Sequence, residues 1–208
     1  MRLSVSILNS KDKINMIKTL NNTKISYIHI DVMDGLFVSQ KSLPSDEIIK
    51  LSPFSSKPLD IHLMVENPMY YIERIKELPN IDNITIHLEI NKDIKNILNK
   101  IKEYGFKRSL AIKPNTDINL LVPYLDIIDR ILIMTVEPGL GGQPFLENSP
   151  NRIKEIKKLI KDKNIELEVD GGINNQTINK VKDVDISVVG SYITTSDNPA
   201  QRINDLLV

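Results

Sequence analysis

The chain has no cysteine, no excess of charge of either sign and no long apolar run. Without cysteine it has no disulfides, no thiolate metal ligands and no thiol nucleophile. Because 27 basic residues balance 27 acidic ones, the sequence lacks the basic excess of a general nucleic-acid binder. No apolar run approaches the roughly 18 residues of a membrane helix, and the first run, from Leu3, is typical of a strand rather than a signal peptide. We therefore expect a cytoplasmic protein with no nucleic-acid or membrane partner.

Two kinds of segment alternate along the 208 residues, 41% of which are hydrophobic. Runs rich in β-branched residues predict strands at residues 3–8, 27–32, 59–64, 84–88, 109–112, 131–136, 165–169 and 186–189. Between them apolar residues recur at helical spacing, and Pro68 is placed for a first helical turn after Asn67.

Alternating strands and helices predict parallel strands joined by right-handed crossovers. Eight such units favour an α/β fold in which residues 1–208 form one (β/α)₈ TIM barrel. A doubly wound open sheet is the structural alternative. That fold calls for a glycine-rich cofactor fingerprint after the first strand, and residues 6–10 contain no glycine.

The scarce residues are concentrated at one end of the predicted barrel. All three histidines, His29, His62 and His87, fall at the carboxyl ends of predicted strands. Seven of the eight glycines also follow strand ends, and only Gly105 lies elsewhere. A single histidine or glycine here has an ordinary reading as a rim residue or a turn. Because barrel enzymes build their chemistry at the carboxyl end, the concentration predicts a functional site there.

Histidines and aspartates share strand faces in a way that suits a metal ion. His29 and Asp31 are two apart on a strand and therefore point to the same side. His62 belongs to the next strand, and Asp170 ends the seventh. Two imidazoles and two carboxylates could surround one divalent cation, for which Zn²⁺, Fe²⁺, Mn²⁺ and Co²⁺ are all suitable. The role of His87 stays open between a residue behind the ligands and a rim residue.

Glycine-rich loops follow the last three predicted strands. Bare backbone N–H groups in such loops can bind a phosphate without a basic side chain, and many barrels bind phosphate after strands seven and eight. The set predicts a phosphorylated small substrate, and the loop at 137–150 is a candidate lid. The candidate substrate-binding residues in these loops are Gly139, Gly141, Gly142, Gly171, Gly172, Gly190 and Ser191.

The motifs, taken in order, resemble those of the ribulose-phosphate 3-epimerase family. They are SVSIL at 4–8, HIDVMDG at 29–35, LDIHLMV at 59–65, IHLE at 86–89, MTVEPGLGGQ at 134–143, EVDGG at 168–172 and VGS at 189–191. They run from the first predicted strand to the eighth, so the resemblance covers the whole chain. The chain departs from the family pattern at residues 39–44, at Asn115 and at Tyr192, none of which is a candidate ligand.

The resemblance implies a role for each matching position. His29, Asp31, His62 and Asp170 resemble the metal ligands, and Asp31 and Asp170 also resemble the two acid/base carboxylates. Ser6 and the three methionines Met33, Met64 and Met134 resemble residues that line the substrate site. Gly142, Gly172, Gly190 and Ser191 resemble the phosphate contacts.

The resemblance implies a metal-dependent isomerase, which interconverts D-ribulose 5-phosphate and D-xylulose 5-phosphate through an enediolate. Assembly of the family as dimers or larger rings implies a homo-oligomer. Three alternatives stay open. They are the same reaction on a hexulose 6-phosphate such as allulose 6-phosphate, a Schiff-base lyase that uses Lys113, and a phosphate-binding barrel without catalysis.

Overall fold

The computed structural model describes residues 1–207, and at its centre eight parallel strands close into a barrel. Each strand pairs with its neighbours in the sequence, and the last pairs with the first. This arrangement confirms the predicted (β/α)₈ barrel and excludes an open sheet. The strands are β1 (Arg2–Ser6), β2 (Tyr27–Met33), β3 (Leu59–Met64), β4 (Ile81–His87), β5 (Lys107–Ile112), β6 (Arg130–Met134), β7 (Glu166–Asp170) and β8 (Ile186–Val189).

Helices surround the barrel, although two of the seven crossovers between strands lack an α-helix. After β5 and β7 the chain forms the 3₁₀ helices Ile118–Tyr124 and Ile178–Val181 instead, and a further 3₁₀ helix covers Ser52–Phe54. Pro123 lies inside the first of these and has no N–H for an α-helical hydrogen bond. The α-helices are α1 (Lys13–Asn21), α2 (Ser45–Leu51), α3 (Pro68–Ile75), α4 (Ile94–Glu103), α5 (Ser149–Leu159), α6 (Ser191–Thr194) and α7 (Pro199–Leu206).

The start of β4 is the largest departure from the predicted strand boundaries. The strand begins at Ile81, three residues before the apolar run on which the prediction rested. Asn83 interrupts that pattern because its side chain is buried inside the barrel, where its amide donates to Asp60 Oδ1 at 2.8 Å. A polar residue that satisfies a buried partner is invisible to a prediction from hydrophobicity.

The apolar core lies between the barrel and the helices that cover it. In α4 the apolar residues at helical spacing are all buried, namely Ile94, Ile97, Leu98 and Ile101. Asp93 caps this helix by accepting from the Asn96 N–H at 3.1 Å. Helix α3 begins at Pro68 as expected, whereas the Asn67 side chain makes no capping hydrogen bond. Within residues 1–207, no helix combines the length and hydropathy needed to cross a membrane.

The interior of the barrel is polar in its lower half, where most such barrels carry branched apolar side chains. Hydrogen bonds run across it from β1 to β3 and from β3 to β6. This polar floor lies beneath the carboxyl end of the strands, and we call it the floor layer. Its members are Ser4, Asp60, Asn83, Arg130 and Glu168, all of them buried.

Candidate active site

Four side chains converge at the carboxyl end of the barrel, one ligand atom from each lying within 4.8 Å of the others. They are His29, Asp31, His62 and Asp170, the set that the sequence pattern brought together. The register of β2 against β3 places Asp31 beside His62, and β7 supplies Asp170 from farther around the barrel. Asp31 Oδ1 lies 3.4 Å from both His29 Nε2 and His62 Nδ1.

Asp170 completes the group from the other side. Its Oδ2 lies 3.6 Å from His62 Nδ1 and 3.9 Å from His29 Nε2. These two imidazole nitrogens are buried and have no hydrogen-bond partner. A buried polar atom without a partner is costly, and coordination to a cation would satisfy both nitrogens at once. Two nitrogens and two carboxylate oxygens also form a donor set typical of divalent transition metals, so the residues present fit a metal ion.

His29 is held from below by the floor layer. Its Nδ1 lies 2.8 Å from Asp60 Oδ2, and an ionised carboxylate can only accept a hydrogen bond. The Nδ1–H of His29 therefore donates to Asp60, and in the neutral ring a lone pair on Nε2 faces Asp31 and Asp170. Such a carboxylate behind a histidine is the usual support of an imidazole that binds a metal.

His62 has a different support, which settles where His87 lies. His62 Nε2 is 2.9 Å from His87 Nε2, and His87 Nδ1 is 3.1 Å from Glu89 Oε2. His87 is thus behind the four converging side chains and contacts one of them directly. The Glu89 carboxylate also accepts from the Lys113 N–H at 2.7 Å and from the Thr116 hydroxyl.

The electrostatics of the site favour positive charge between the carboxylates. Burial alone lowers the pKa of the His29 imidazole, but Asp31 and Asp60 outweigh it and raise that pKa well above its ordinary value. Burial likewise opposes a rise in the pKa of His62, which Asp170 and Asp31 nevertheless produce. For Asp31, burial raises the carboxyl pKa, but His29 and His62 lower it strongly overall. Imidazole protons or one divalent cation meet this requirement.

A cavity of about 310 Å³ opens above the converging side chains. Asp31 and Asp170 line it, and the Ser6 hydroxyl donates to Asp31 Oδ2 at 2.6 Å. All the predicted substrate-binding residues line it as well. They are Ser6, Met33, Met64, Met134, Gly139, Gly141, Gly142, Gly171, Gly172, Gly190 and Ser191.

Glycines form one end of this cavity, where the backbone has a positive φ or leaves no room for a side chain. Gly172 has a φ of +67°, and a Cβ on it would lie 2.5 Å from the backbone nitrogen of Phe145. Gly142 has a φ of +78° and faces Ser191. The part of the chain that the structure describes places no lysine or arginine on the cavity wall. An anion bound here would therefore depend on backbone N–H groups.

The segment at 39–44, where the chain departs from the family pattern, supports the site from the side. The Ser42 hydroxyl donates to the Asp31 carbonyl at 2.6 Å, and the Ser42 N–H donates to the Met33 carbonyl at 3.1 Å. Tyr192, another departure, lines the cavity. The altered loop therefore holds the end of β2, and the altered tyrosine changes the cavity wall.

Lys113, the residue on which the lyase alternative depends, does not line the cavity. Its Nζ lies 4.1 Å from the centroid of the Phe37 ring, in the range of a cation–π contact. The placement gives the Schiff-base alternative no support.

Sequence reasoning missed the residues that support the ligands, namely Asp60, Glu89 and Arg130. Asp60 had a detectable signal, because it lies two positions before His62 and therefore on the same face of β3. Arg130 had none, since one arginine at the start of an apolar run reads as a solvated end.

A closed parallel barrel with buried acids and glycine loops at its carboxyl end has the features of a barrel enzyme, and many such enzymes bind phosphate at this face. The family model described as "Ribulose-phosphate 3 epimerase family" matches residues 2–194. The chain therefore belongs to the ribulose-phosphate 3-epimerase family and is an isomerase.

Individual relatives agree with this assignment. The ribulose-phosphate 3-epimerase of Helicobacter pylori (strain J99 / ATCC 700824) is 34% identical over 211 residues, covering 99% of this chain and 96% of the relative. The ribulose-phosphate 3-epimerase of Bacillus subtilis (strain 168) is 32% identical over 197 residues, covering 92% and 90%.

Solved structures with low identity show the same fold. A tryptophan synthase structure from Mycobacterium tuberculosis matches with a TM-score of 0.72 at 12% identity, covering 99% of this chain and 90% of that one. The 3-hexulose-6-phosphate synthase of Salmonella typhimurium matches with a TM-score of 0.66 at 15% identity, covering 99% and 96%. At these identities the likeness extends to the barrel alone.

Proposed function

We propose that the protein interconverts D-ribulose 5-phosphate and D-xylulose 5-phosphate. The observation that carries the proposal is the pair of carboxylates, Asp31 from β2 and Asp170 from β7, which line one cavity and approach the same two imidazole nitrogens. Membership of the family and relatives that are ribulose-phosphate 3-epimerases support the reaction and a ribulose-phosphate substrate.

Two acids are needed because the reaction inverts one carbon. A proton leaves carbon 3, next to the ketone, and another returns on the opposite face. One carboxylate cannot easily serve both faces, whereas Asp31 and Asp170 come from different sides of the barrel and can exchange the roles of base and acid. The Ser6 hydroxyl binds Asp31 Oδ2, which keeps Oδ1 directed at the centre of the site.

A carbon acid is many pH units weaker than a carboxylic acid, and each unit costs about 1.36 kcal/mol. We propose that His29, Asp31, His62 and Asp170 hold one divalent ion, with Zn²⁺, Fe²⁺, Mn²⁺ and Co²⁺ as candidates. When bound, such an ion supplies positive charge beside the ketone oxygen and stabilises the negative charge of the enediolate.

The remaining cavity residues orient the sugar and exclude water. Met33, Met64 and Met134 present thioethers, which add no competing base near the enediolate. The glycine loops bind the phosphate through backbone N–H groups, and this anchor fixes carbon 3 between Asp31 and Asp170.

Incubation with D-ribulose 5-phosphate in D₂O tests substrate, intermediate and ion together. We expect D-xylulose 5-phosphate labelled with deuterium at carbon 3, a signal that disappears with a chelator and returns with a divalent ion. Formation of xylulose 5-phosphate without deuterium at carbon 3 would overturn the proton-transfer scheme. Faster turnover of allulose 6-phosphate in a parallel assay would replace the pentulose by a hexulose substrate.

Borohydride reduction during the same incubation tests the lyase alternative. We expect no covalent adduct at Lys113 and unchanged turnover in Lys113→Met, because the amine lies over the Phe37 ring and outside the cavity wall.

A further inference from the structure

We propose that Arg130 is a positioning residue for His29, acting through the Asp60 carboxylate from the opposite end of the barrel. The inference rests on the proposed metal site and extends it from the ligands and their direct supports to a third layer. Arg130 touches none of the four candidate ligands, so its effect would be transmitted only through the floor layer.

Arg130 is the centre of the floor layer. Its side chain is completely buried, and Nη1 lies 3.3 Å from Asp60 Oδ1 and 3.1 Å from Glu168 Oε2. Nη2 lies 3.1 Å from Glu166 Oε2, and the guanidinium carbon is 5.2 Å from the centroid of the Tyr27 ring. Asp82 Oδ2 lies 3.6 Å from Nη2, so four acids and one ring surround the guanidinium. A planar group with several donors can bind several such partners at once.

Each oxygen of the Asp60 carboxylate has two partners. Oδ1 accepts from Asn83 Nδ2 at 2.8 Å and from Arg130 at 3.3 Å. Oδ2 accepts from the Ser4 hydroxyl at 2.9 Å and from His29 Nδ1 at 2.8 Å. The carboxylate thus has a single orientation, and the oxygen offered to His29 can only accept. Loss of Arg130 would leave Oδ1 with Asn83 as its one donor and remove one of the four hydrogen bonds that orient the carboxylate.

A purely structural floor would not need this arrangement. Buried ion pairs are often no more stabilising than apolar side chains of similar volume, and such barrels commonly fill the floor with valine, isoleucine and leucine. The charged floor layer has a further effect here, because it sets the orientation and the tautomer of the His29 imidazole. Mutation of a residue that supports a metal ligand typically lowers metal affinity by about 10- to 100-fold.

The test compares three variants that separate positioning from stability. Arg130→Met combined with Glu168→Gln removes the guanidinium together with one of the buried carboxyl groups that contact it. Arg130→Lys keeps the charge but loses the planar fork. Arg108→Met is the matched control, because Arg108 pairs with Asp129 through two nitrogens and makes no contact with Asp60.

Two measurements are made on each purified protein. Competition with a chromogenic chelator gives the affinity for Mn²⁺ and Zn²⁺. ¹⁵N NMR of the metal-free protein, at a pH high enough for the His29 ring to be neutral, gives the tautomer of His29. We expect affinity about tenfold weaker in the double variant, the lower end of the effect of a residue that contacts a ligand directly, with a mixture of His29 tautomers. In Arg130→Lys the affinity for the ions should fall about threefold or more. Arg108→Met should match the wild type in both measurements.

Wild-type affinity and an unchanged His29 tautomer in the double variant would overturn the role of Arg130. If the double variant does not fold, Arg130→Lys decides, and wild-type behaviour in both measurements overturns the inference. Failure of the wild type to bind either ion would refute the proposed metal site instead. The His29 tautomer in Arg130→Lys still tests the positioning role in that case.

Discussion

The Nε2 atoms of His62 and His87 lie 2.9 Å apart, and both rings are buried. Because a hydrogen bond needs one donor and one acceptor, only one of the two nitrogens carries a proton. Burial lowers the pKa of His87 to about 4, so this ring is neutral at pH 7 and gives its single Nδ1–H to Glu89. The proton between the rings therefore belongs to His62, whose Nδ1 lone pair faces Asp31 and Asp170.

Replacing His87 with phenylalanine should weaken binding of a divalent ion by about 10- to 100-fold, because His62 loses the acceptor that fixes its tautomer. Phenylalanine keeps an aromatic ring at this position and its contact with Phe37, whose ring centroid lies 4.7 Å from that of His87 in the wild type. Chelator competition measures the effect. Phe37→Leu is the control, since it changes the packing on the same ring without removing a hydrogen bond. Equal affinities in wild type and His87→Phe would contradict the assigned tautomers.

Glu89 should make the free energy of unfolding depend on pH in the acidic range. Burial alone would raise its carboxyl pKa, but hydrogen bonds from His87, Thr116 and the Lys113 N–H lower it to about 2, against an ordinary value of 4.5. A carboxyl with a lowered pKa in the folded state contributes stability above pH 4.5, and this contribution is lost as the pH falls towards 2.

Glu89→Gln should therefore lower the free energy of unfolding at pH 7 by up to about 3 kcal/mol. The difference from wild type should shrink below pH 4.5 and approach zero near pH 2. Urea unfolding at pH 7, 5 and 3.5 measures it. Glu103→Gln, at an exposed pair with Lys100, should show little difference at any of these pH values. A difference between wild type and Glu89→Gln that does not vary with pH would rule out the linkage.

The ligand positions were predictable because their signals are local. His29 and Asp31 are two apart in one strand, and an alternating barrel then places His62 beside them. The position of Asp170 was predictable because parallel strands have their carboxyl ends at one face of the barrel, and Asp170 ends the seventh strand. The barrel itself followed from eight apolar runs with helical segments between them.

The floor layer could not be predicted in the same way. Arg130, Asp60 and Glu168 come from three strands, and their contacts depend on which residues face each other across the closed barrel. Asp60 and Glu168 each read as an interruption of an apolar strand, and Arg130 reads as the solvated end of one. The 3₁₀ crossover at Ile118–Tyr124 was missed for a different reason, since its apolar spacing resembles an α-helix while Pro123 removes a needed N–H.

Asp31→Asn and Asp170→Asn should each lower turnover by at least about 10³-fold, because each removes the acid or base for one face of carbon 3. Asparagine keeps the shape and one possible ligand oxygen, so the loss should persist with saturating divalent ion. Turnover is measured together with the ion content of each variant. Asp126→Asn, at an 84% exposed side chain, is the control and should match the wild type. Near-normal turnover in either active-site variant would refute the two-carboxylate scheme.

Gly172→Ala should raise the KM for the phosphorylated substrate by about tenfold or more while lowering kcat less. The new Cβ would lie 2.5 Å from the nitrogen and 2.7 Å from the Cα of Phe145. These are backbone atoms, so the loop that closes the glycine end of the cavity must move, and a displaced anchor weakens ground-state and transition-state binding together. Steady-state kinetics at saturating divalent ion measures both constants.

Gly105→Ala provides the matched control for this substitution. Gly105 also has a positive φ, of +89°, but a Cβ there would meet no atom within 4 Å, and the residue precedes β5 at the amino end of the barrel. Both alanines carry the cost of a left-handed backbone, about 1 to 2 kcal/mol of stability. Only Gly172→Ala adds a collision beside the cavity. An equal rise in KM in both variants would assign the effect to backbone strain. An unchanged KM in Gly172→Ala would show that the phosphate does not bind at this end of the cavity.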